Sequence, residues 1–573
     1  MNDIDKLYAL WCEKATEPEV AAELKSVEGN HEEILDRFWQ NLSFGTGGLR
    51  GVLGAGTNRM NVYTVGQATQ GLADYLNEDF ENPSVAIGYD SRINSDKFAR
   101  YAATVLAANG IKVYLYKELM PTPIVAYAVR RLKCSSGIVL TASHNPSKYN
   151  GYKCYDERGY QMTDEAAAKT LGYINACDIF AGVKTVDFDA ALADGKIEYI
   201  PEDFLDDYYE KVLSRMVNPD VCEKAGLSVI YTPLNGTGNK PVRRVLSMAG
   251  VKDVTVVPSQ ELPDGRFPTC PFPNPEIREA FNEALKLAET KKPDLLLTTD
   301  PDCDRVGIAV LTNGEYKLLT GNDVGCLLCD YILGQKKARN ALAAEPVVIK
   351  SIVSTEMATA VAESYGAQVE NVLTGFKYIG ERMTELENNG EADRFEIGFE
   401  ESYGYLTGMH TRDKDAVNAS LLICEMASFY KLQGKTLVDV MGELYARFGC
   451  WNNELFNYYF EGADGMAKMV AMMETLRGSY PAQLGGRKVA SVIDFKLRKS
   501  VDMADGSETP VTLPVSNVIV LKMDNRDEVI VRPAGTEPKL KIYAMVQGDD
   551  AAAAKAQTER YEAEMTALLG ITK

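Results

Sequence analysis

The sequence contains no continuous run of about 20 apolar residues, the length that a membrane-spanning helix requires. Its first eight residues, MNDIDKLY, lack the basic start and the apolar core of a signal peptide. No low-complexity segment interrupts the chain. These absences argue against a membrane-bound or secreted protein, so we expect a cytoplasmic protein with no membrane partner.

A paired cysteine framework is also missing. The chain has 11 cysteines, an odd number, scattered over 573 residues, and this favours reduced thiols over disulfides. Cys326 and Cys329 form a CxxC, but no second CxxC accompanies it, and residues 324–333 read as a buried helix. The sequence therefore gives little support to a zinc or redox site.

Positive charge is scarce, since the formal net charge is −20 and the sequence pI is about 4.9. Such a surface repels nucleic acid and anionic membranes, so we expect no nucleic-acid partner. An anionic small substrate requires a local cluster of Arg, Lys, metal and backbone N–H groups that outweighs the bulk field. With 46% hydrophobic and 25% charged residues, the composition is that of a folded chain of about three to five domains.

Short apolar runs that end in polar clusters, each followed by an amphipathic helix, recur along the chain. Val85–Ile87 precedes Gly-Tyr-Asp, Ile138–Leu140 precedes Thr-Ala-Ser, and Leu295–Leu297 precedes Thr-Thr-Asp. This alternation predicts α/β domains with mainly parallel strands. Ligands of such sheets bind beyond the carboxyl ends of the strands, which is where the polar clusters lie.

The pattern changes near residue 450. A helix at 466–476 is followed by strands at 489–497, 518–523, 528–531 and 541–546 and by a helix at 551–569, which predicts an α+β unit. Earlier boundaries follow from Pro201-Glu202-Asp203 before a new helix and from the hairpin turn Asn313-Gly314. We therefore predict domains at 1–203, 204–318, 319–450 and 451–573.

The segment Asp300-Pro301-Asp302-Cys303-Asp304-Arg305 has three carboxylates at a spacing of two, directly after an apolar strand. In an extended chain these side chains point the same way and repel one another unless a cation lies between them. Oxygen ligands favour Mg²⁺, Mn²⁺ or Ca²⁺. An EF-hand is excluded because its sixth position would be Arg305 and its twelfth Leu311. A solvated acidic turn is the alternative.

Three further segments carry possible phosphate chemistry. Ser143, in TASHNP, is a possible nucleophile, although Ser143 beside His144 does not make a hydrolase triad. Lys153, in NGYK, is a possible base or phosphate clamp, or simply a surface lysine. Arg532 with the following turn and Thr536 forms a plausible phosphate cradle.

Two glycine-rich segments complete the set. Arg50 lies in FGTGGLRG, which is not a dinucleotide fingerprint and has no clear strand before it. In GFEESYG, Glu400 and Ser402 are suited to hydrogen bonds with sugar hydroxyls, although this segment alone could be any polar loop. Gly434-Lys435-Thr436 is not a P-loop, because Phe429 stands where the first glycine belongs.

In this order, TASHNP, NGYK, DPDCDR, GFEESYG and RPAGTEPK resemble the α-D-phosphohexomutase superfamily, and the length and the FGTGGLRG start are most similar to its long phosphoglucomutase and phosphopentomutase branch. The resemblance runs from Phe44 to the end of the chain. It implies three α/β mixed-sheet domains and a C-terminal α+β domain, like the TATA-box-binding protein, around a central cleft. Each domain would contribute one loop.

The resemblance also implies roles for individual residues. Ser143 would carry the phosphate and, with three aspartates, would ligate Mg²⁺: Asp300, Asp302 and Asp304. Lys153 and Arg50 would lie near the reacting oxygens, with Lys153 as the general acid or base. His144 would support the phosphoserine loop, and Arg305 would contact the substrate or the phosphoserine. The sugar and the phosphate that is not transferred would be bound by Glu400, Ser402, Thr374, Gly375, Lys377, Lys414, Arg532, Gly535 and Thr536.

The implied activity interconverts glucose 1-phosphate and glucose 6-phosphate through a phosphoserine and glucose 1,6-bisphosphate, which also acts as activator. The implied partners are small sugar phosphates, and the implied assembly is a monomer or a small homo-oligomer. The alternatives are a pentose, mannose or hexosamine phosphate mutase, a glucose 1,6-bisphosphate synthase, a phosphatase, or a catalytically silent relative. Ala534 departs from the usual serine of the phosphate loop, and His410 is the only histidine near the sugar loop.

Overall fold

In a computed structural model of the protein, residues 3–45, 47–460, 465–534 and 539–571 are described. The chain forms two compact units. The first runs to Thr320 and also contains Ile379–Ile397 and Ser402–Thr436; the second contains Gly321–Tyr378, Gly398–Glu401 and the residues from Leu437 onward. Within the described residues, no helix combines the length and the apolarity needed to cross a membrane.

Three helices at the amino end enclose an apolar core around the buried Trp11. Their bounds are α1 Asp3–Lys14, α2 Pro18–Ser26 and α3 His31–Phe38. α2 begins at Pro18, where a backbone N–H would have no helical partner, and the Glu17 carboxylate accepts a first-turn N–H. Asn30 caps α3 in the same way.

The first sheet has six strands in the order β1-β5-β4-β2-β3-β6. The strands are β1 Gly48–Val52, β2 Ser84–Tyr89, β3 Lys112–Leu115, β4 Ser136–Leu140, β5 Tyr149–Asp156 and β6 Ile197–Tyr199. The helices of this region are α4 Val62–Asp79, α5 Ser95–Ala108, α6 Thr122–Arg131, α7 Asp164–Ala176 and α8 Phe188–Ala193. β4, β2, β3 and β6 run parallel, whereas β1 and β5 run antiparallel to their neighbours.

The second sheet has the order β11-β10-β9-β7-β8, parallel from β9 to β8 and antiparallel from β9 to β11. Its strands are β7 Ser228–Thr232, β8 Asp253–Val256, β9 Leu295–Thr299, β10 Val306–Thr312 and β11 Glu315–Leu319. The accompanying helices are α9 Phe204–Leu213, α10 Val221–Ala225, α11 Asn239–Met248 and α12 Asn282–Lys291. The predicted turn joins β10 to β11, with positive φ at both Asn313 and Gly314.

The third sheet has the order β13-β12-β14-β15, with β12 and β13 parallel. Its strands are β12 Val347–Ser351, β13 Gln368–Val372, β14 Phe395–Glu400 and β15 Gly404–Leu406. The helices are α13 Gly321–Ala338, α14 Glu356–Ser364, α15 Phe376–Asn388, α16 Ala416–Lys431 and α17 Leu437–Phe448. Cys326 and Cys329 are buried in α13, and burial raises the pKa of both thiols, as expected for packing residues.

The C-terminal part contains one antiparallel sheet in the order β16-β23-β22-β21-β18-β19-β20, with β17 beside β18. The strands are β16 Cys450–Tyr459, β17 Gln483–Leu484, β18 Arg487–Asp494, β19 Lys499–Asp502, β20 Glu508–Pro510, β21 Ile519–Met523, β22 Glu528–Pro533 and β23 Lys539–Gly548. Two helices, α18 Gly465–Gly478 and α19 Ala551–Leu569, pack on its apolar face.

The predicted fold class is confirmed: three α/β regions precede a C-terminal α+β region. The first two sheets are mixed, as the resemblance implied, because each has parallel strands on one side and antiparallel strands at the other edge. One detail differs. The strand β16 was not predicted. It lies at a sheet edge, where β23 is its one neighbour among the described strands, and most of its residues are partly exposed. Its sequence therefore has no clear alternation of apolar and polar residues. The four domain boundaries remain predictions.

Candidate active site

The three aspartates of DPDCDR converge at the carboxyl end of β9. One carboxylate oxygen of each lies within 4.8 Å of the others, and all three side chains are buried. The convergence arises from a tight turn and not, as the spacing suggested, from alternation along an extended strand. Cys303 has φ 53°, and the Asp300 Oδ1 atom accepts the backbone N–H groups of Asp304 and Arg305, each at 3.0 Å.

This carboxylate cluster fits a divalent cation. Asp302 Oδ1 and Asp304 Oδ1 are buried and accept no hydrogen bond from any described residue. Burial, together with repulsion from Asp302 and Asp304, raises the pKa of Asp300 well above its usual value. Buried oxygens without hydrogen bonds and mutually repelling charges are what a bound Mg²⁺ would satisfy, since that ion prefers hard oxygen ligands.

Two lysines offset part of the negative charge. Lys153 on β5 donates to Asp302 Oδ2 at 2.8 Å and to Asp304 Oδ2 at 3.1 Å, while Lys414 lies 3.4 Å from Asp304 Oδ2. Burial alone would lower the pKa of Lys153, but Asp302 and Asp304 raise it above its usual value. Lys153 is therefore a buried, protonated group beside the triad and not a surface lysine.

Ser143 lies at the carboxyl end of β4 in a turn, with φ 54°. Its hydroxyl donates to Asp300 Oδ2 at 3.1 Å and lies 3.2 Å from His144 Nδ1. Burial, then the positive charges of Arg305 and Arg50, lowers the pKa of His144 well below its usual value, so the imidazole is neutral at pH 7. The structure thus brings the predicted nucleophile into direct contact with the predicted metal ligands.

The loop at 141–148, here called the serine loop, joins β4 to β5 and is held by residues that the sequence did not indicate. Arg92 donates to the carbonyl oxygen of Ser143 at 2.6 Å and also to that of Asn145. Asp90 accepts the Thr141 hydroxyl at 2.6 Å, and that hydroxyl in turn accepts the N–H of Ser143 at 2.8 Å. A signal existed in the Gly-Tyr-Asp cluster, because its Asp90 directly follows β2 at the sheet edge where ligands bind.

Replacing Arg92 with methionine is expected to destabilise the first unit by about 3 kcal/mol or more, because Asp90 would remain buried without its ion-pair partner. For a unit of this size, with an unfolding entropy of about 2.1 cal/mol/K per residue, that lowers Tm by about 4 °C. Differential scanning calorimetry measures the change. Arg131→Met is the control: its pair with Asp207 is exposed, and exposed pairs contribute little to stability. Equal Tm losses in the two variants would contradict the prediction.

Arg50 lies on a strand and not in the glycine-rich loop that the sequence suggested. It belongs to β1, and Gly48 of that strand is paired with Lys153 of β5. A Cβ atom at Gly48 would lie 2.1 Å from the carbonyl oxygen of Tyr152, so only glycine fits this close approach. Arg305, directly after the triad, forms a 2.6 Å ion pair with Glu276.

Lys414 is fixed by its own neighbours. The Asp413 Oδ1 atom lies 3.4 Å from Lys414 Nζ, and Asp413 Oδ2 accepts the buried Tyr155 hydroxyl at 2.6 Å. Thr122 donates to Asp302 Oδ2 at 2.9 Å. Ordinary tyrosine, threonine and aspartate residues carry no recognisable pattern, so Tyr155, Asp413 and Thr122 could not be selected from the sequence.

In the second unit, Glu400 ends β14 and its Oε1 atom accepts the N–H of Gly375 at 2.7 Å. Thr374 and Gly375 precede α15, and Lys377 Nζ lies 5.0 Å from the Tyr378 ring centroid. These predicted sugar-loop residues therefore lie together. Ser402 belongs to the first unit and follows β14 in the turn before β15.

Arg532 lies on β22, opposite Lys541 of β23. Burial, followed by repulsion from Glu401 and Glu400, raises the pKa of Tyr543, and Arg532 acts in the opposite direction. Arg532 and the predicted sugar-binding carboxylate of Glu400 therefore both lie close enough to Tyr543 to shift its pKa. Gly535 and Thr536 lie outside the described residues.

Comparison with known proteins agrees with this arrangement. Models of the α/β/α domains I, II and III of phosphoglucomutase/phosphomannomutase match residues 41–178, 206–314 and 320–448. The chain belongs to the phosphoglucomutase/phosphomannomutase family. A phosphoglucomutase of Staphylococcus haemolyticus is 36% identical over 516 residues, which are 90% of this chain and 92% of that protein.

Other members of this family are similarly close. A phosphoglucomutase of Staphylococcus aureus is 35% identical over 543 residues, covering 94% of this chain and 95% of its own length. Among solved structures, the open form of parafusin, a phosphoglucomutase from Paramecium, covers 93% of this chain and 96% of its own, with a TM-score of 0.68 and 18% identity. At that identity the structural match shows the shared fold alone.

Proposed function

We propose that this protein is a phosphoglucomutase that interconverts glucose 1-phosphate and glucose 6-phosphate through phosphoserine 143. The observation that carries the proposal is the contact of the Ser143 hydroxyl with Asp300, in a site where Lys153 bridges Asp302 and Asp304. Curated phosphoglucomutases at 35–36% identity over about nine-tenths of the chain support the same activity.

In the proposed reaction, phosphoserine 143 donates its phosphoryl group to the free hydroxyl of a sugar monophosphate. The bond from phosphorus to Ser143 Oγ breaks, and a bond from phosphorus to the sugar oxygen forms. As the bond to Ser143 Oγ breaks, the protonated Lys153 gives its proton to that oxygen and then takes the proton that the sugar hydroxyl loses, so Lys153 is the proposed acid and base of the site. Glucose 1,6-bisphosphate then returns its other phosphate to Ser143, which makes it both intermediate and activator. Such a transfer depends mainly on positioning and on neutralised charge.

Asp300, Asp302, Asp304 and an oxygen on Ser143 are the residues proposed to hold Mg²⁺. When bound, Mg²⁺ would neutralise negative charge on the transferred phosphoryl group. His144 and Arg92 would keep the serine loop in place, while Arg50 and Arg305 would add positive charge near the reacting oxygens. This local cluster of cations explains how a chain of net charge −20 can bind an anionic substrate.

The sugar hydroxyls are proposed to bind Glu400 and Ser402, with Thr374, Gly375 and Lys377 beside them. The phosphate that is not transferred is proposed to bind four residues: Lys414, Arg532, Gly535 and Thr536. The small-molecule partners are then sugar phosphates. The eleven cysteines, all described and all free thiols, support the proposed cytoplasmic location. The assembly is proposed to be a monomer or a small homo-oligomer.

The test is a comparison of substrates with Mg²⁺ and a trace of glucose 1,6-bisphosphate. We expect kcat/KM to be highest for glucose 1-phosphate, lower for mannose 1-phosphate and lowest for ribose 1-phosphate. If ribose 1-phosphate or mannose 1-phosphate ranks first, the phosphoserine mechanism stands and the proposed substrate is wrong. Release of inorganic phosphate without any isomerised sugar would identify a phosphatase instead.

A further inference from the structure

Residues 264–276 form a loop, here called the strap, that connects the second sheet to the active site. It lies between β8 and α12 and contains no helix or strand. Four of its 13 residues are proline, at positions 268, 271, 273 and 275. Proline fixes φ and reduces the freedom that must be lost on folding, so this composition suits an irregular segment held in one shape.

The strap first contacts the residues that hold the serine loop. A Cβ atom at Gly265 would lie 2.5 Å from the backbone nitrogen of Ile93 and 2.7 Å from the oxygen of Ser91. Two residues further on, the ring of Phe267 lies under the Arg92 guanidinium, at 5.0 Å from its centroid. Because Arg92 donates to the carbonyl oxygen of Ser143, this part of the strap contacts the serine loop indirectly, through Arg92.

The second contact is with His144. The Phe272 ring packs edge-on against the imidazole, with centroids 5.7 Å apart and an interplanar angle of 72°. His144 Nδ1 lies 3.2 Å from the Ser143 hydroxyl. Phe272 is 37% exposed, so it is not a core residue. We attribute its position to the contact with His144.

The third contact is with Arg305. Glu276 Oε1 lies 2.6 Å from the guanidinium, and the backbone N–H of Glu276 is in turn bound by the Asn274 side chain at 3.1 Å. A Cβ atom at Gly307 would lie 2.7 Å from the oxygen of Pro275, so the strap also lies directly against β10. The carboxylate is therefore presented to Arg305 from a fixed backbone.

We infer that Glu276 and Phe272 are positioning residues: the strap uses Glu276 to orient Arg305 and Phe272 to orient His144 around Ser143. This inference rests on the proposed mutase function. This one irregular segment contacts both the serine loop and the loop at 300–305 that carries the three aspartates. Long irregular loops of this kind are usually functional.

The test compares Glu276→Gln with Glu261→Gln in the full-length enzyme. Glu261 forms a similar glutamate–arginine pair with Arg243 at 2.8 Å, outside the strap. We expect Glu276→Gln to lower kcat/KM for glucose 1-phosphate by about tenfold, because small misplacements of catalytic groups reduce the rate strongly. Glu261→Gln should match the wild type, and both variants should keep the wild-type Tm.

A double-mutant cycle separates positioning from a general structural role. If Glu276 acts through Arg305, Glu276→Gln should have no further effect in an Arg305→Ala background. Phe272→Leu should likewise lower kcat/KM in the wild-type background and have no further effect beside His144→Ala. Additive losses in both cycles, or a Glu276→Gln variant as active as the wild type, would overturn the inference. A wild-type enzyme without mutase activity would instead refute the proposed function.

Discussion

Ser143→Ala is expected to lose at least about 10⁴-fold in kcat, because removal of a covalent nucleophile abolishes the route through the intermediate. The variant should stay folded. Alanine loses the hydrogen bond to Asp300, a contribution of about 1 kcal/mol, and leaves the backbone at φ 54° as before. Activity is measured as formation of glucose 6-phosphate from glucose 1-phosphate, and folding as Tm.

Ser147→Ala is the matched control, four residues along the same loop. It should retain wild-type activity. A second measurement reports directly on the phosphoserine: after incubation with glucose 1,6-bisphosphate, intact-mass spectrometry should show one added phosphoryl group on the wild type and on Ser147→Ala, and none on Ser143→Ala. Full activity in Ser143→Ala would refute the central step of the proposed mechanism.

Strands whose two faces are buried were the most predictable part of the fold. The segments around Val85–Ile87, Ile138–Leu140 and Leu295–Leu297 lie in β2, β4 and β9, where almost every residue is buried. Exposed or glycine-rich edge strands were not predictable. β1 reads GLRGV and is held by its pairing with β5 rather than by any apolar pattern.

The site was predictable to the extent that its residues lie in dense local motifs. Three aspartates within five positions indicate a cation site without information from the rest of the chain, and the structure places them together. Their geometry was not predictable, because it depends on the left-handed conformation of Cys303 and on the backbone N–H groups that Asp300 accepts.

Positioning residues were missed for a different reason. Thr122 reaches Asp302 across 180 positions of sequence, and Arg92 reaches Ser143 across 51. Glu276 likewise acts on Arg305 from a separate segment. Each is an ordinary residue in an ordinary local context, and it acquires a role only when the tertiary fold brings the segments together. The family resemblance identifies the residues proposed to touch substrate, whereas Thr122, Arg92 and Glu276 lie outside its motifs.

Asp300→Asn is expected to abolish the response of the enzyme to Mg²⁺ while making the metal-free protein more thermostable. Removing a ligand should weaken Mg²⁺ binding by at least about 100-fold, since loss of an outer partner already weakens metal sites by about 10- to 100-fold. The activity should fall as the Mg²⁺ affinity falls. Isothermal titration with Mg²⁺ measures the affinity, and Tm with and without Mg²⁺ measures the stability.

The sign of the stability change follows from the raised pKa of Asp300. A carboxyl whose pKa is higher in the folded than in the unfolded protein favours folding only while protonated. Its stabilising effect is lost as the pH rises from the unfolded value toward the folded one. Above the unfolded value, the wild type must either take up a proton on folding or bury a negative charge, and asparagine does neither, so the metal-free variant should melt at a higher temperature than the wild type.

Asp294→Asn at the amino end of the same strand is the control. Asp294 pairs with Lys431 and lies away from the triad, so its substitution should leave the Mg²⁺ response unchanged. In Asp300→Asn the Mg²⁺ affinity should fall while the metal-free Tm rises, and this combination distinguishes a metal site from a structural acidic cluster. Neutralising a structural aspartate would lower the Tm. A metal-free Asp300→Asn protein that melts below the wild type and still binds Mg²⁺ would show that the triad supports the fold and that the cation binds elsewhere.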